Sequence, residues 1–101
     1  MEFKISGKHL EVTDPIREYA QHKTSKLHRY YDRIQSITVV VDQHDRQFDV
    51  ELIVDVEHHD PFISRELGDN LYACVDKAID KAERQLTDHK EKLRNRKHSV
   101  R

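Results

Sequence analysis

The chain has 101 residues, of which 36% are hydrophobic and 37% are charged, and its formal net charge is −1 at pH 7. This length suits a single domain with one modest core, and the charged fraction exceeds the roughly 25% of a typical domain. No run approaches the roughly 18 apolar residues of a membrane span, and the first ten residues lack the apolar segment of a signal peptide. A lone cysteine, Cys74, cannot form an internal disulfide, which fits a reducing compartment. We therefore expect a cytoplasmic protein.

The small net charge conceals a segregation of charge along the chain. Residues 1–41 carry seven Lys or Arg and five Asp or Glu, a net charge of +2. Residues 42–69 carry two basic and nine acidic residues, a net charge of −7. Residues 70–101 carry nine basic and five acidic residues, a net charge of +4. The last stretch alone, residues 84–101, has a net charge of +5. Because a partner senses the local field within a Debye length of about 8–10 Å, a basic surface is compatible with the overall balance.

The first half of the chain predicts a strand, a helix and a second strand. Apolar and polar residues alternate over residues 3–6, which is typical of a short strand. The tripeptide Thr13-Asp14-Pro15 marks a helix start, since Thr or Asp can cap and Pro suits the first helical position. Apolar residues at helical spacing then predict a helix over 15–31. The β-branched run 37–42 predicts a strand.

The second half begins with the clearest alternation in the sequence. Every second residue from Phe48 to Val56 is apolar and most intervening residues are acidic, which indicates a strand with one packed and one wet face. Asn70 can cap a final helix of regular apolar spacing. After residue 42 we expect a turn over 43–47, a strand over 48–57 and a second turn over 58–61. A short strand over 62–67 and a helix over 71–94 should follow.

The predicted element order is β-α-β-β-β-α, which defines a single domain of the α+β class. Each helix has one apolar stripe and the sheet has one apolar face. We therefore expect a four-stranded sheet with both helices packed on one face. The opposite face of the sheet should stay in water and be acidic.

Basic residues recur at helical spacing on both predicted helices. On the first helix they are His22, Lys26, Arg29 and Arg33. On the second they are Lys77, Lys81 and Arg84, followed by Lys90, Lys92, Arg94, Arg96 and Lys97. If the helices lie side by side, both stripes face the same solvent and offer cations to closely spaced RNA phosphates. Acidic residues interleave with the second set, so ordinary helical salt bridges are the alternative explanation.

A series of short motifs, taken in order, is similar to one known family. In the first half these are Ile5-Ser6-Gly7, Glu11-Val12-Thr13, Ile16-Arg17-Glu18-Tyr19 and Lys23-x-x-Lys26-Leu27-x-x-Tyr30-Tyr31-Asp32-Arg33-Ile34. In the second half they are Asn70-x-Tyr72-Ala73-x-Val75-Asp76, Ile79-Asp80-Lys81-x-x-Arg84-Gln85-Leu86 and His89-Lys90-x-Lys92-Leu93. Their order and spacing over residues 1–94 resemble the ribosome hibernation-promoting factor family, also called ribosome-associated inhibitor A. The resemblance is to the short form, without the second domain of longer members.

This resemblance implies a fold, a function and a set of contact residues. It implies the β-α-β-β-β-α fold, similar in layout to double-stranded-RNA-binding domains, over residues 1–95, followed by a basic tail over 96–101 that we expect to be disordered. Members of the family bind the RNA of the small ribosomal subunit in the messenger and transfer RNA channel, and so inhibit translation in stressed or stationary cells. We expect a monomer off the ribosome. The family's basic helix positions, which we expect to contact RNA, fall on Lys23, Lys26, Arg29, Lys81, Arg84, Lys90 and Lys92.

One other class of function also fits the residues. A generic double-stranded-RNA-binding or protein-interaction module would present a similar basic helical surface. Two adjacent tyrosines bear on the choice: Tyr31 is expected in the core, whereas Tyr30 is available to stack on a base.

Metal binding and catalysis find less support in the sequence. His58 and His59 are adjacent, and His22, His28 or His44 could join them as metal ligands. Adjacent residues on a strand point to opposite sides, however, which argues against a shared metal ion. We therefore expect no metal and no cofactor. Cys74 falls on the apolar side of the second helix, and the acidic residues lie on an open sheet face rather than in a pocket. We expect a protein that is not an enzyme.

Overall fold

The computed structural model describes the backbone of residues 1–99 and the side chains of residues 1–94. Its elements follow the predicted order β-α-β-β-β-α, with one short 3-10 helix added after the first α-helix. They are β1 (Glu2–Lys8), α1 (Asp14–Ser25), the 3-10 helix (Lys26–Arg29), β2 (Ile34–His44), β3 (Gln47–Val56), β4 (His59–Gly68) and α2 (Leu71–Ser99).

The four strands form one sheet in the order β1-β2-β3-β4. Strands β1 and β2 are parallel, with Ile5 opposite Val39, and helix α1 provides the crossover between them. The other two pairings are antiparallel hairpins. Each hairpin turn contains one residue in the left-handed region, Asp45 (φ 57°) in the first and His58 (φ 59°) in the second.

The core lies between one face of the sheet and the two helices, as predicted. Alternate residues of β2 and β3 point into it, and Val39, Leu52 and Val54 are almost fully buried. Helix α2 covers them with a stripe that ends at Leu86, the last fully buried residue among those described. Each fully buried aliphatic side chain of this kind contributes about 1.5–3 kcal/mol. The opposite face of the sheet is open to solvent.

Helix α1 ends six residues earlier than the predicted boundary at Tyr31, and the prediction of one continuous helix was wrong. Thr24 is fully buried, and its hydroxyl donates hydrogen bonds to the carbonyl oxygens of Ala20 (2.8 Å) and Gln21 (3.2 Å). The Ser25 hydroxyl donates to the carbonyl of His22 at 2.6 Å. These side chains compete for the carbonyls that a continuing helix would use. The chain tightens into the 3-10 helix instead.

Both α-helices begin next to the capping residues that the sequence predicts. The Thr13 hydroxyl accepts from the backbone N–H of Ile16 at 3.4 Å, and the Asn70 side chain accepts from that of Ala73 at 3.1 Å.

Two other boundaries differ from the prediction. Strand β4 begins at His59 rather than at residue 62, because a register shift beside Val54 keeps the strand paired past Pro61, which lacks an N–H. Helix α2 continues to Ser99 rather than ending near Arg94, so it has 29 residues and a length of about 43 Å. Residues 96–99 of the tail that the sequence predicts to be disordered are therefore part of α2, and residues 100 and 101 lie outside the described part. No helix within residues 1–99 carries an apolar stretch that could cross a membrane.

Candidate nucleic-acid interface

A basic depression of about 500 Å³ lies where the segment after α1 meets the late turns of α2. Four cations and one acid belong to its lining, which consists of Arg29, Tyr30, Tyr31, Asp32, Arg33, Lys90, Leu93 and Arg94. We call this lining the Tyr30 depression. Tyr31 is buried and forms part of the core, as predicted, whereas Tyr30 keeps 38% of its surface exposed.

The local backbone explains why these residues converge. The 3-10 helix ends at Arg29, and the N–H groups of Tyr30 and Tyr31 both bond to the carbonyl of Leu27, which turns the chain tightly before β2. On α2, Lys90 and Arg94 are four residues apart and therefore share a face. A short turn and a long helix thus bring two pairs of cations together.

The cations of the Tyr30 depression are available to a ligand. Within residues 1–94, none of Arg29, Arg33, Lys90 and Arg94 takes part in an ion pair shorter than 4 Å. Arginine forks match the oxygens of a phosphate group, and an exposed tyrosine ring can stack on an unpaired base. The depression therefore combines the two kinds of contact that single-stranded or irregular RNA requires.

Two further predicted residues, Lys23 and Lys26, lie in a separate groove between α1 and α2. They share this groove with Asp76, Ile79 and Asp80 of α2. The Lys23 ammonium also lies 5.5 Å from the centre of the Tyr19 ring. Two carboxylates facing two ammonium groups make this groove less positive than the Tyr30 depression.

The remaining predicted residues lie on other sides of α2. Arg84 occupies an outer hollow with Asp80, Glu83, Thr87 and Asp88, so acids surround it. Lys81 turns toward the sheet edge, where its ammonium lies 2.6 Å from Oε2 of Glu66 and donates to the carbonyl oxygen of Arg65 at 3.0 Å. Lys92 lines a hollow with His59, Phe62 and His89 on the same flank.

The seven predicted contact residues therefore do not form one stripe. Arg29 and Lys90 are brought together in the Tyr30 depression, Lys23 and Lys26 lie in the interhelical groove, and Lys81, Arg84 and Lys92 line neither. At 100° per residue, positions 81, 84 and 92 lie within about 80° of one another around the helix axis, whereas position 90 lies on the opposite side. The predicted alignment of Lys26, Arg29 and Arg33 with His22 on one helix was wrong for the same kind of reason, because α1 ends at Ser25. RNA contact by each of the seven stays a prediction.

Arg33 and Arg94 are the residues that the expected contact set left out. Each follows a member of that set by four positions, Arg33 after Arg29 and Arg94 after Lys90. For Arg94 the helical spacing was a sufficient signal. The position of Arg33 depends on the turn after the 3-10 helix, which apolar spacing does not predict.

A cluster of rings occupies the other flank of α2. His59 stacks on Phe62 with ring centres 4.6 Å apart and planes 6° apart, and His89 packs against both. His89 also meets the edge of Tyr31 at 5.5 Å. Burial, with smaller contributions from His59 and Lys92, lowers the pKa of His89 below its ordinary value. This cluster holds the turn before β4 against the helix.

Together, the two-layer fold and the cationic depression define a small α+β domain that presents positive charge and an exposed tyrosine at one end of its helical face. Residues 3–94 match the family described as Sigma 54 modulation protein / S30EA ribosomal protein. The chain belongs to this family. The resemblance predicted from the sequence motifs is thereby confirmed.

Two relatives and two solved structures illustrate the similarity. A protein named Ribosome hibernation promoting factor from Azotobacter vinelandii is 38% identical over 92 residues, covering 91% of this chain and 85% of the relative. A protein of the same name from Escherichia coli K12 is 36% identical over 94 residues, covering 93% of this chain and 98% of the relative. The N-terminal domain of Thermus thermophilus Protein Y superposes with a TM-score of 0.80 at 32% identity, covering 88% of this chain and 99% of that domain. A ribosomal subunit interface protein from Coxiella burnetii has the same fold, with a TM-score of 0.79 at 23% identity. The match covers 90% of this chain and 99% of that protein.

Proposed function

We propose that this protein is a cytoplasmic ribosome hibernation factor. It binds the RNA of the small ribosomal subunit in the channel that messenger and transfer RNA use, and it inhibits translation in stressed or stationary cells. The observation that carries the proposal is the convergence of Arg29, Arg33, Lys90 and Arg94 on one depression beside an exposed tyrosine. Family membership and the names of the relatives support the same conclusion.

The proposed mechanism is occupancy and involves no chemical step. Each phosphate that a lysine or arginine neutralises releases condensed counterions, so binding is tight at low salt and weakens as salt rises. Tyr30 adds a stacking surface for a base at the rim of the depression. The rest of the domain, 55 Å in its longest dimension, fills space that messenger or transfer RNA would otherwise take.

In this proposal the open face of the sheet assists oriented binding because its acidic residues repel RNA. It carries Asp42, Asp49, Glu51 and Asp55 on adjacent strands, of which Asp49 is paired with Arg65. Negative charge on this side orients the molecule with its helical side toward a phosphate-rich partner. In this proposal the interhelical groove with Lys23 and Lys26 extends the RNA contact beyond the Tyr30 depression.

The test is co-sedimentation of the purified protein with isolated small ribosomal subunits at two salt concentrations. The test variant is Arg29→Glu/Lys90→Glu, which reverses two charges in the Tyr30 depression. The matched control is Lys4→Glu/Arg46→Glu, which makes the same charge change at exposed positions on β1 and in the first hairpin turn. The proposal predicts salt-sensitive binding by the wild type and the control, and loss of binding by the test variant.

Two results would overturn the proposal. Equal binding by wild type and Arg29→Glu/Lys90→Glu would refute the site. Failure of the wild type to bind subunits, combined with binding to a plain RNA duplex, would establish the alternative of a generic double-stranded-RNA-binding module.

A further inference from the structure

Two histidines and an aspartate converge at the end of the sheet farthest from the Tyr30 depression. They are His9, which follows β1, and Asp42 and His44 near the end of β2. The start of β2, next to the Tyr30 depression, lies about 33 Å away along the strand, at 3.3 Å per residue. This cluster is therefore separate from the proposed RNA-binding surface.

Strand geometry brings the three side chains together. Asp42 and His44 are two residues apart on β2 and so share its solvent face. Lys8 pairs with Asp42 in the parallel β1–β2 ladder, which places His9, the residue after β1, beside the end of β2. His9 has a φ of 61°, a left-handed conformation that is uncommon outside glycine but less so for histidine than for most residues. That turn of the backbone directs the imidazole back toward Asp42.

The donor atoms are close to the spacing of a metal coordination sphere. His9 Nδ1 lies 2.8 Å from Oδ1 of Asp42, and His44 Nε2 lies 3.1 Å from its Oδ2. All three donor atoms lie within 4.8 Å of one another. Ligands around a tetrahedral Zn²⁺ at about 2.0–2.2 Å are roughly 3.4 Å apart. Because both imidazoles are mostly exposed, a small side-chain rotation closes the remaining difference.

The electrostatic surroundings favour a cation beside Asp42. Asp42 stands directly opposite Asp49 in the β2–β3 ladder, an unfavourable pairing of like charges. Asp49 is neutralised by Arg65, whose Nε donates to Oδ1 at 2.9 Å. Within residues 1–94, the ion-pair partners of Asp42 are the two histidines alone, and its carboxylate is only 20% exposed. A divalent ion at this position would balance that carboxylate.

We propose that His9, Asp42 and His44 form a binding site for a divalent transition-metal ion of the zinc class, with water completing the coordination. Two imidazole nitrogens and one carboxylate are a ligand set that Zn²⁺ and its neighbours in the first transition row accept. On binding, each imidazole presents a lone pair to the ion in place of the N–H now directed at Asp42. The ion then fastens the end of β1 to β2. The sequence predicts no metal site; of the histidines considered there, His44 belongs to this cluster, whereas His58 and His59 are not part of it.

The test is calorimetric titration of the untagged, chelator-treated full chain with Zn²⁺. Two variants each remove one ligand with little change of shape, Asp42→Asn and His44→Gln. The control is His28→Gln, which removes an exposed histidine on the 3-10 helix. Circular dichroism of every variant checks that the fold is kept.

The proposal predicts one Zn²⁺ per chain for the wild type and the control, and an affinity at least about tenfold weaker for either ligand variant. Backbone amide signals of residues 9 and 42–44 should shift on titration in nuclear magnetic resonance spectra. Wild-type affinity in both ligand variants, an equal loss in His28→Gln, or no binding by the wild type would overturn it.

Discussion

The hydroxyl of Tyr19 on α1 donates a hydrogen bond of 2.6 Å to Oδ1 of Asp76 on α2. The ring of Tyr72 meets the Tyr19 ring edge-on, with centres 4.8 Å apart, and Lys23 lies over its face. This contact fixes the separation of the two helices that carry the basic residues. The hydrogen bond to Asp76, together with burial, raises the pKa of Tyr19 to about 12.

Removing this hydroxyl should weaken the domain without altering its surface charge. We expect Tyr19→Phe to lower the free energy of unfolding by about 1.5 kcal/mol at pH 7, the size of a hydrogen bond to a charged group. The folded pKa of about 12 exceeds the value near 10 of an unfolded tyrosine, so this stabilisation is present below pH 10 and is lost as pH rises toward 12. Urea denaturation of wild type and Tyr19→Phe at pH 7 and at alkaline pH measures the loss of unfolding free energy and its dependence on pH. A penalty that does not shrink at alkaline pH would contradict the assignment.

Lys81 should prove to be a residue of the fold more than of the RNA contact. Its ammonium is held by Glu66, a mostly buried carboxylate of β4, and by the carbonyl of Arg65. Lys81→Ala leaves Glu66 without its partner, and we expect it to cost about 1 kcal/mol of unfolding free energy. Lys90→Ala, a matched change at an exposed position, should stay within about 0.5 kcal/mol of wild type. Equal losses in urea denaturation would show that the Glu66 pairing contributes nothing.

Acid should destabilise the protein through His89. Its folded pKa is lowered, chiefly by burial, so below pH 6.5 the unfolded chain binds more protons at this residue than the folded chain. The stability that neutral His89 contributes is therefore present above pH 6.5 and is lost as pH falls below it. We expect the free energy of unfolding to fall between pH 7.5 and 5.5 more steeply in wild type than in His89→Gln. His28→Gln should retain the wild-type slope, and an identical slope in His89→Gln would contradict the prediction.

Period-two alternation and helix caps were sufficient to predict the architecture. The alternation from Phe48 to Val56 specified which face of the sheet is buried, and Thr13 and Asn70 begin the two helices where their side chains predicted. The end of α1 was not predictable from apolar spacing, because Leu27 and Tyr31 continue the helical stripe into the core although Thr24 and Ser25 divert the backbone. Local competition for carbonyl groups is invisible in hydrophobic periodicity.

The functional surfaces were less predictable than the fold. Helical spacing linked Lys90 with Arg94, but joining them to Arg29 and Arg33 required the tight turn at Leu27. The histidine cluster depended on the register of two strands far apart in sequence. Asp42 and His44 are near neighbours, whereas His9 comes from β1, and its backbone conformation directs it toward them.

Competition between this protein and transfer RNA for the small ribosomal subunit tests the central claim most directly. Isolated small subunits are incubated with the protein, with and without transfer RNA and messenger RNA, and the bound protein is measured after sedimentation. The account predicts that wild-type protein binds and that transfer RNA displaces it, while Arg29→Glu/Lys90→Glu does not bind in either case. Binding that transfer RNA leaves unchanged would contradict occupancy of the messenger and transfer RNA channel.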